Sequence, residues 1–460
     1  MAAALGQPGD GNVLPLGFDD APEYNDTTMV LNRPLSWKYM LVCSSVARVV
    51  HQIIRHDPRV PIWGESKMVI RKITDRRDWR VNDVVVVEVL TDHEDELFSK
   101  GMVELESGRM IHPMRGQLVI CALAHRRSTQ ESVGSFLHVG DDLRVDLLTE
   151  GGACGAATDI STFMPDPMVK AIYRAHVAEP FLLEKDDDVP SYPPASNEKT
   201  LNLEGILDAK YDSIPPNLHH VGQLSSWATN HPQSSANSEC EFPRKTVLIF
   251  GTSMSSGKTV AGTYLARAMR ESVEHGNVFA LKLTGAGQLH DIQRYGDCGA
   301  THVFDFVDAG LISTANIPPE QYMVAIARLL RRLCGSMNKQ DACIIEIGSS
   351  PFEDYNGLYA AALIASVVKM SLVAASDAYA LKGMVAVSAE YSRDHPEHEG
   401  ARFFNNLFTS NDHKRPICVG PAANTRAGRD LVKNITGLEA LNLALASHRE
   451  TLANLLAELA

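Results

Sequence analysis

Nine residues, GTSMSSGKT at 251–259, stand between an apolar run, TVLIF, and a segment of helical composition, VAGTYLARAMRESV. A strand that stops at a glycine-bounded loop and restarts as a helix leaves little freedom in what can surround it. The loop backbone turns its N–H groups inward, and the helix behind adds a partial positive charge at the same spot. Gly251 and Gly257 keep Cβ atoms out of the cradle, Lys258 can reach phosphate oxygens, and the Thr259 hydroxyl can hold Mg²⁺. The loop is therefore predicted to wrap a nucleoside triphosphate, ATP or GTP, with magnesium. Its contact residues would be Gly251, Thr252, Ser253, Met254, Ser255, Ser256, Gly257, Lys258 and Thr259, with Val260 behind them.

From residue 244 onward, apolar β-branched runs alternate with helical stretches. TVLIF, NVFALKL, ACIIEIG, SLVAA, MVAVSA and RPICVG read as strands. LYAAALIASVVKMSLVAA carries Lys369 and reads as a buried helix followed by a strand, not a membrane span. This alternation predicts a doubly wound α/β domain with a mostly parallel sheet over 244–460.

The first half has a different grammar. WKYMLVCSSVARVVHQIIRH spaces Val42, Val46, Val49 and Ile53 as a helix face. Short β-branched runs follow at 68–73, 83–90, 102–107, 117–124 and 143–148, which predicts a small antiparallel barrel or sandwich over 35–185. Residues 163–185 read as helical or irregular. Residues 1–34 are rich in Gly, Pro, Asp and Asn, and read as a flexible tail. Residues 186–243, rich in Pro, Ser, Asn and charge, read as a linker, with LNLEGILDAKY as a short helix inside it. Its His219 and His220 lack a neighbouring Cys/His cluster and read as solvated loop residues, as does DHPEHEG at 394–400.

A formal net charge of −13 argues against nucleic acid as partner. The N-terminus shows no basic stretch followed by an apolar core. Eight cysteines without a CxxC pair read as reduced thiols, which together predict a cytoplasmic protein.

The spelling G-T-x-x-x-x-G-K-T at 251–259 resembles the loop of dethiobiotin synthetase and of the cobyrinic acid synthases. The early loop lysine of the related dimeric ATPases is absent, Thr252 and Ser253 standing in that region. FALKLTGAG (279–287) resembles the second-strand element of dethiobiotin synthetase, with Leu283 where that family has proline. The resemblance implies that Lys282 meets the γ-phosphate; a surface lysine ending a strand is the plainer alternative. ACIIEIGSSPFED resembles the E-G-x-G strand end, implying that Glu346 holds Mg²⁺, where a structural ion pair is the alternative.

The order TGAG, Asp305-Phe306 with Gly310, then Glu346 with Gly348 and Ser349 is similar to the C-terminal domain of a bacterial family linked to D-glutamate N-acetylation. Asp291 or Asp297 would match the aspartate that assists the metal, with Asp305 a further candidate. Arg294 could contact phosphate or a substrate carboxylate. Asn424, in the late loop VGPAANTRAG, would read the nucleotide base, although a turn asparagine needs no ligand.

These readings predict an Mg-ATP-dependent ligase- or kinase-type enzyme activating a small carboxylate or carbamate, with Lys258, Lys282 and Glu346 as the catalytic set. The β-rich domain would cap the substrate or support a homodimer. The alternative is a nucleotide-dependent switch or scaffold acting on a protein partner.

Overall fold

The computed structural model describes residues 41–48, 76–77, 79–90, 102–160, 242–273, 276–410 and 415–459, with the backbone at 29–30, 40, 68–72, 168–177 and 199–200. The predicted tail and linker lie outside these residues except at two short strands, Met29–Val30 and Lys199–Thr200, and at the linker's last two residues, Phe242 and Pro243. His219, His220 and the segment LNLEGILDAKY also lie outside them.

In the first half the strands are β1 (Met29–Val30), β2 (Met40–Val42), β3 (Met68–Lys72), β4 (Val84–Val89), β5 (Val103–Glu104), β6 (Met110–Ile111), β7 (Leu118–Leu123), β8 (His125–Arg127), β9 (Ser132–Ser135), β10 (Arg144–Leu147), β11 (Ala153–Ile160), β12 (Met168–Val177) and β13 (Lys199–Thr200). The runs VVVVEV and LVICAL of β4 and β7 are buried almost throughout, so both faces of these strands are covered. The pairings β4 with β7, β7 with β11, β11 with β10, β10 with β12 and β12 with β4 return to their start. Five strands thus close a small barrel, which removes the open edges a sheet of this size would expose.

Three expectations are corrected here. The barrel is mixed, because β7 and β11 run parallel. Residues 168–177, read as helical or irregular, form the ten-residue strand β12 and pair with β3, β4, β10 and β13. Its Met, Lys and Ala content favours a helix locally, and partners on both sides override that preference. The predicted helix face at Val42 begins instead as β2, with helix at 44–48; Val46 is buried, and Val49 and Ile53 lie outside the described residues.

The second half contains β14 (Lys245–Gly251), β15 (Val278–Thr284), β16 (His302–Asp305), β17 (Ala342–Ile347), β18 (Met370–Ala374) and β19 (Ile417–Val419). Its helices are α1 (Lys258–Ser272), α2 (Leu289–Asp297), α3 (Pro319–Cys334), α4 (Gly357–Ile364), α5 (Ala378–Asp394), α6 (Glu399–Thr409), α7 (Arg426–Thr436) and α8 (Ala446–Ala457). The sheet order is β16-β15-β17-β14-β18-β19 and every pair is parallel. Alternate residues of β14 enter different cores: Val247 and Ile249 pack with α1 and α8, Leu248 and Phe250 with α3 to α6. Helices therefore cover both faces, as in a doubly wound α/β sheet.

The segment MVAVSA, read as a strand, lies inside α5. Asp377 caps that helix, accepting from Tyr379 and Ala380 N–H, and Ala378, Leu381, Met384 and Ser388 are its buried residues at spacings of three and four. The barrel and the α/β unit share one core, in which Val84, Val86 and Ile120 join Leu283, Phe306 and Ile312. Six cysteines are free thiols, but Cys334 is disulfide-bonded to a partner outside the described residues, so the reading of every cysteine as reduced is corrected. Among the described residues no helix is long and apolar enough to cross a membrane.

Candidate functional site

The loop at 251–257 leaves the C-terminal end of β14 at the centre of the sheet and enters α1 at Lys258. Gly257 sits in the left-handed region at φ 95°, a conformation that favours glycine. A Cβ on Gly251 would stand 2.3 Å from Ser256 Oγ and 2.9 Å from Lys258 Cγ, so the loop can close only over a glycine there. Lys258 is only 6% exposed and donates to the Ser253 carbonyl at 2.7 Å. The Ser256 hydroxyl is buried with no hydrogen-bond partner. A loop with a buried ammonium folded onto its own carbonyl and an orphaned hydroxyl has donors to offer a ligand.

Beside the loop, β17 and β15 place two more charges in one row. Ile249, Glu346, Lys282 and Asp305 occupy adjacent register positions across β14, β17, β15 and β16. Neighbouring strands lie about 4.8 Å apart. Glu346 and Lys282 are 2% and 7% exposed. Helix α2 supplies a partner to each: Lys282 Nζ lies 2.5 Å from Asp291 Oδ2, and the Tyr295 hydroxyl donates to Glu346 Oε2.

The field at this site is uneven. Burial pushes the Lys258 ammonium down to about 8, with Glu346 pulling it up and Lys282 pushing it further down. Burial also opposes the charge on Lys282, but Asp291 and Glu346 outweigh it and hold that ammonium above its ordinary value. Burial favours the neutral acid at Asp291, and Lys282 reverses this, keeping the carboxyl below its ordinary range. The Tyr295 phenol is raised by burial and by Glu346, so it stays a hydrogen-bond donor.

Lys258, Lys282, Glu346 and Asp291 thus converge. Asp297 does not join them: it is the exposed last residue of α2, six residues or about 9 Å along the axis from Asp291. Arg294 is also exposed. Asp305 is held by the barrel, Arg48 spanning its carboxylate at 2.9 and 3.1 Å and reaching Asp308 at 2.8 Å. Asn424 is exposed on the loop after β19. That loop abuts the one at 251–257: a Cβ on Gly257 would lie 3.2 Å from Gly420 Cα, and one on Gly420 would lie 2.4 Å from the Ser256 carbonyl. Thr252 is tied to the next strand end, its N–H donating to the Ala374 carbonyl and its hydroxyl accepting from Ser376 N–H. Among the described residues no group of three or more His, Cys, Asp or Glu could cage a metal.

The barrel contributes residues that the sequence did not single out. Ser128 Oγ touches Met254 Sδ at 3.1 Å, and Arg127 N–H donates to the Tyr355 hydroxyl at 3.0 Å. Glu104 and Glu150 accept from the loop and helix after β15, and Asn82 Oδ1 accepts from Ile312 N–H. These contacts all fall on the C-terminal ends of the parallel strands, where open α/β sheets bind ligands. Their partners lie up to 230 residues apart, so no local pattern could signal them. No protein-family model matches the chain, and no curated protein matches its sequence.

Proposed function

We propose that the chain is a nucleotide-dependent phosphoryl-transfer enzyme that activates a small carboxylate or carbamate with Mg-ATP. The observation that carries this reading is the pairing of two buried lysines, Lys258 and Lys282, with Glu346 beside a strand-to-helix loop. Two ammonium groups and a ring of loop amides form a site for a polyanion, and such a site stabilises charge that moves during phosphoryl transfer.

In this reading the amides of Ser253 to Lys258 hold the β-phosphate. Lys258 leaves the Ser253 carbonyl for a phosphate oxygen. Lys282, oriented by Asp291, faces the terminal phosphoryl group. The acceptor carboxylate oxygen bonds to the γ-phosphorus as the bond to the bridging oxygen breaks, and that electron pair leaves with ADP. An ionised carboxylate needs no proton removed. Thr259 and Glu346, with water and phosphate oxygens, would hold the magnesium ion. The ion would supply charge neutralisation for the β- and γ-phosphates. Asp291 is already engaged by Lys282, which favours a positioning role for it over metal ligation.

A thermal-shift titration with Mg-ATP, Mg-GTP and Mg-ADP tests the binding step. The midpoint should rise with nucleotide by mass action, and Lys258→Ala should abolish the rise. An unmodified protein whose melting is indifferent to every nucleotide would overturn the reading. ATP consumption that appears only when small carboxylates are added would support the enzyme over a switch.

A further inference from the structure

We propose that Arg127, carried by the barrel, is a ligand for the terminal phosphoryl group and stabilises its transfer. This rests on the nucleotide reading above and adds a charge from outside the α/β unit.

The geometry begins with the hairpin of β8 and β9. Arg126 locks it to the barrel: its guanidinium donates to the Leu148 carbonyl and pairs with Glu131. Successive strand residues point to opposite sides, so Arg127 faces away from that anchor. Its backbone is pinned from two directions. Its own N–H donates to Tyr355, in the loop after Glu346, and the next residue, Ser128, touches Met254 at the middle of the 251–257 loop. Arg127 therefore stands between the two loops that flank the lysines. The segment it rests on shares their field, because Glu353 acts on Lys258 and Tyr355 feels Lys282.

The guanidinium is parked. It lies 2.7 Å from Asp354 Oδ2, and the two side chains are 51% and 59% exposed. An exposed pair of this kind contributes little to stability. A triphosphate offers more charge and a surface for two parallel hydrogen bonds, so exchange of Asp354 for phosphate is favourable. Lys258 and Lys282 approach the phosphates from the sheet, while Arg127 approaches from the barrel. In the transition state the transferring phosphoryl group spreads its charge over three equatorial oxygens, and a guanidinium aligned with them in that geometry stabilises the transfer without contacting ADP.

The test uses the full chain, measuring Mg-ADP affinity by calorimetry and γ-phosphate loss from Mg-ATP, to water and to added small carboxylates, in a single turnover. Arg127→Ala should hold Mg-ADP affinity within about twofold and slow phosphate loss by roughly 10³-fold. Arg127→Lys should recover only part of the rate, since an ammonium lacks the fork. Asp354→Ala frees the guanidinium and should keep or raise the rate. Arg127→Ala that retains the full rate, or that loses Mg-ADP binding as well, would overturn the inference. So would Asp354→Ala that loses as much rate as Arg127→Ala, because the pair would then be structural. If the unmodified protein binds no nucleotide, the reading beneath the inference has failed, which is distinguishable from each of these results.

Discussion

Glu104 Oε1 lies 2.8 Å from His290 Nδ1, although 186 residues separate them in the chain. The same carboxylate accepts from Leu289 N–H at 2.6 Å, from His290 N–H at 2.8 Å and from the Ser44 hydroxyl at 2.5 Å. Helix α2 has no side-chain cap of its own at Gln288, so Glu104 of the β5–β6 hairpin supplies the missing acceptor. The helix it caps carries Asp291 and Tyr295, the partners of Lys282 and Glu346. One carboxylate of the first half thus fixes the element that orients both charges of the row.

Glu104→Ala should destabilise the chain by about 3–5 kcal/mol, because a buried acceptor of four hydrogen bonds is removed and its donors are stranded. Glu104→Gln keeps the volume and should cost less. The pair also sets a pH window. Burial disfavours the Glu104 charge, but its bonds to His290, Ser44 and the helix amides hold the carboxyl below its ordinary value of 4.5. His290 is raised above 6.5, first by Glu104. A depressed carboxyl stabilises above its unfolded value and loses that as pH falls; a raised histidine stabilises below its unfolded value and loses that as pH rises. Their joint contribution is therefore fullest between 4.5 and 6.5. Urea midpoints of the unmodified chain should fall away below about 4.5 and above about 6.5, and those of Glu104→Gln should be flatter on both sides of this window.

Arg48 bridges the barrel to Asp305 and Asp308 with its guanidinium nearly buried. Arg48→Ala would leave two buried carboxylates without their cation, at a cost of about 3–5 kcal/mol. Arg48→Lys should recover part of this, since a point charge cannot span both Asp305 oxygens. Chemical unfolding of the two variants should rank them in that order. Equal midpoints for Arg48→Ala and the unmodified chain would show that water replaces the guanidinium without loss.

What the sequence made legible was local. The strand, loop and helix at 245–272 form one contiguous stretch, so turn chemistry and apolar spacing agree there. Lys282 and Glu346 could be placed at strand ends because each ends an apolar run, and the parallel register then makes them neighbours. Helix α5 was misread because Val385 and Val387 belong to MVAVSA, a short β-branched run whose periodicity is ambiguous. Strand β12 was missed because its pairing partners decide its state. Glu104, Arg48 and Arg127 act on partners more than 180 residues away, and nothing in their immediate surroundings marks them.

Two glycines, both inside helices, should respond to alanine with opposite signs. Ordinarily Gly→Ala in a helix gains about 1 kcal/mol. Gly383 in α5 has nothing within 4 Å of an added Cβ and should show that gain. At Gly262 in α1 the Cβ would stand 2.3 Å from Tyr295 Cε1 and 2.4 Å from its hydroxyl. The buried ring has nowhere to retreat, so overpacking of about 1–3 kcal/mol exceeds the helix gain. Thermal unfolding should place Gly383→Ala above the unmodified chain and Gly262→Ala below it. A stabilised Gly262→Ala would mean that Tyr295 can leave Glu346 at little cost.

The lowered value of Lys258 gives the proposed nucleotide site a pH signature. In the free protein its ammonium titrates at about 8, chiefly because burial penalises the charge. A bound triphosphate would supply the missing counter-charge and raise that value, so binding near pH 8 to 9 should take up as much as one proton. Apparent affinity should then fall as pH rises above about 8, by no more than roughly tenfold per unit. Below that pH the ammonium is already charged and this dependence should vanish. Calorimetric titrations of Mg-ADP in buffers of different ionisation enthalpy would measure the uptake directly. Lys258→Arg, which stays charged throughout, should bind without that proton; uptake of equal size in the variant would assign the titration to another group and leave Lys258 outside the site's electrostatics.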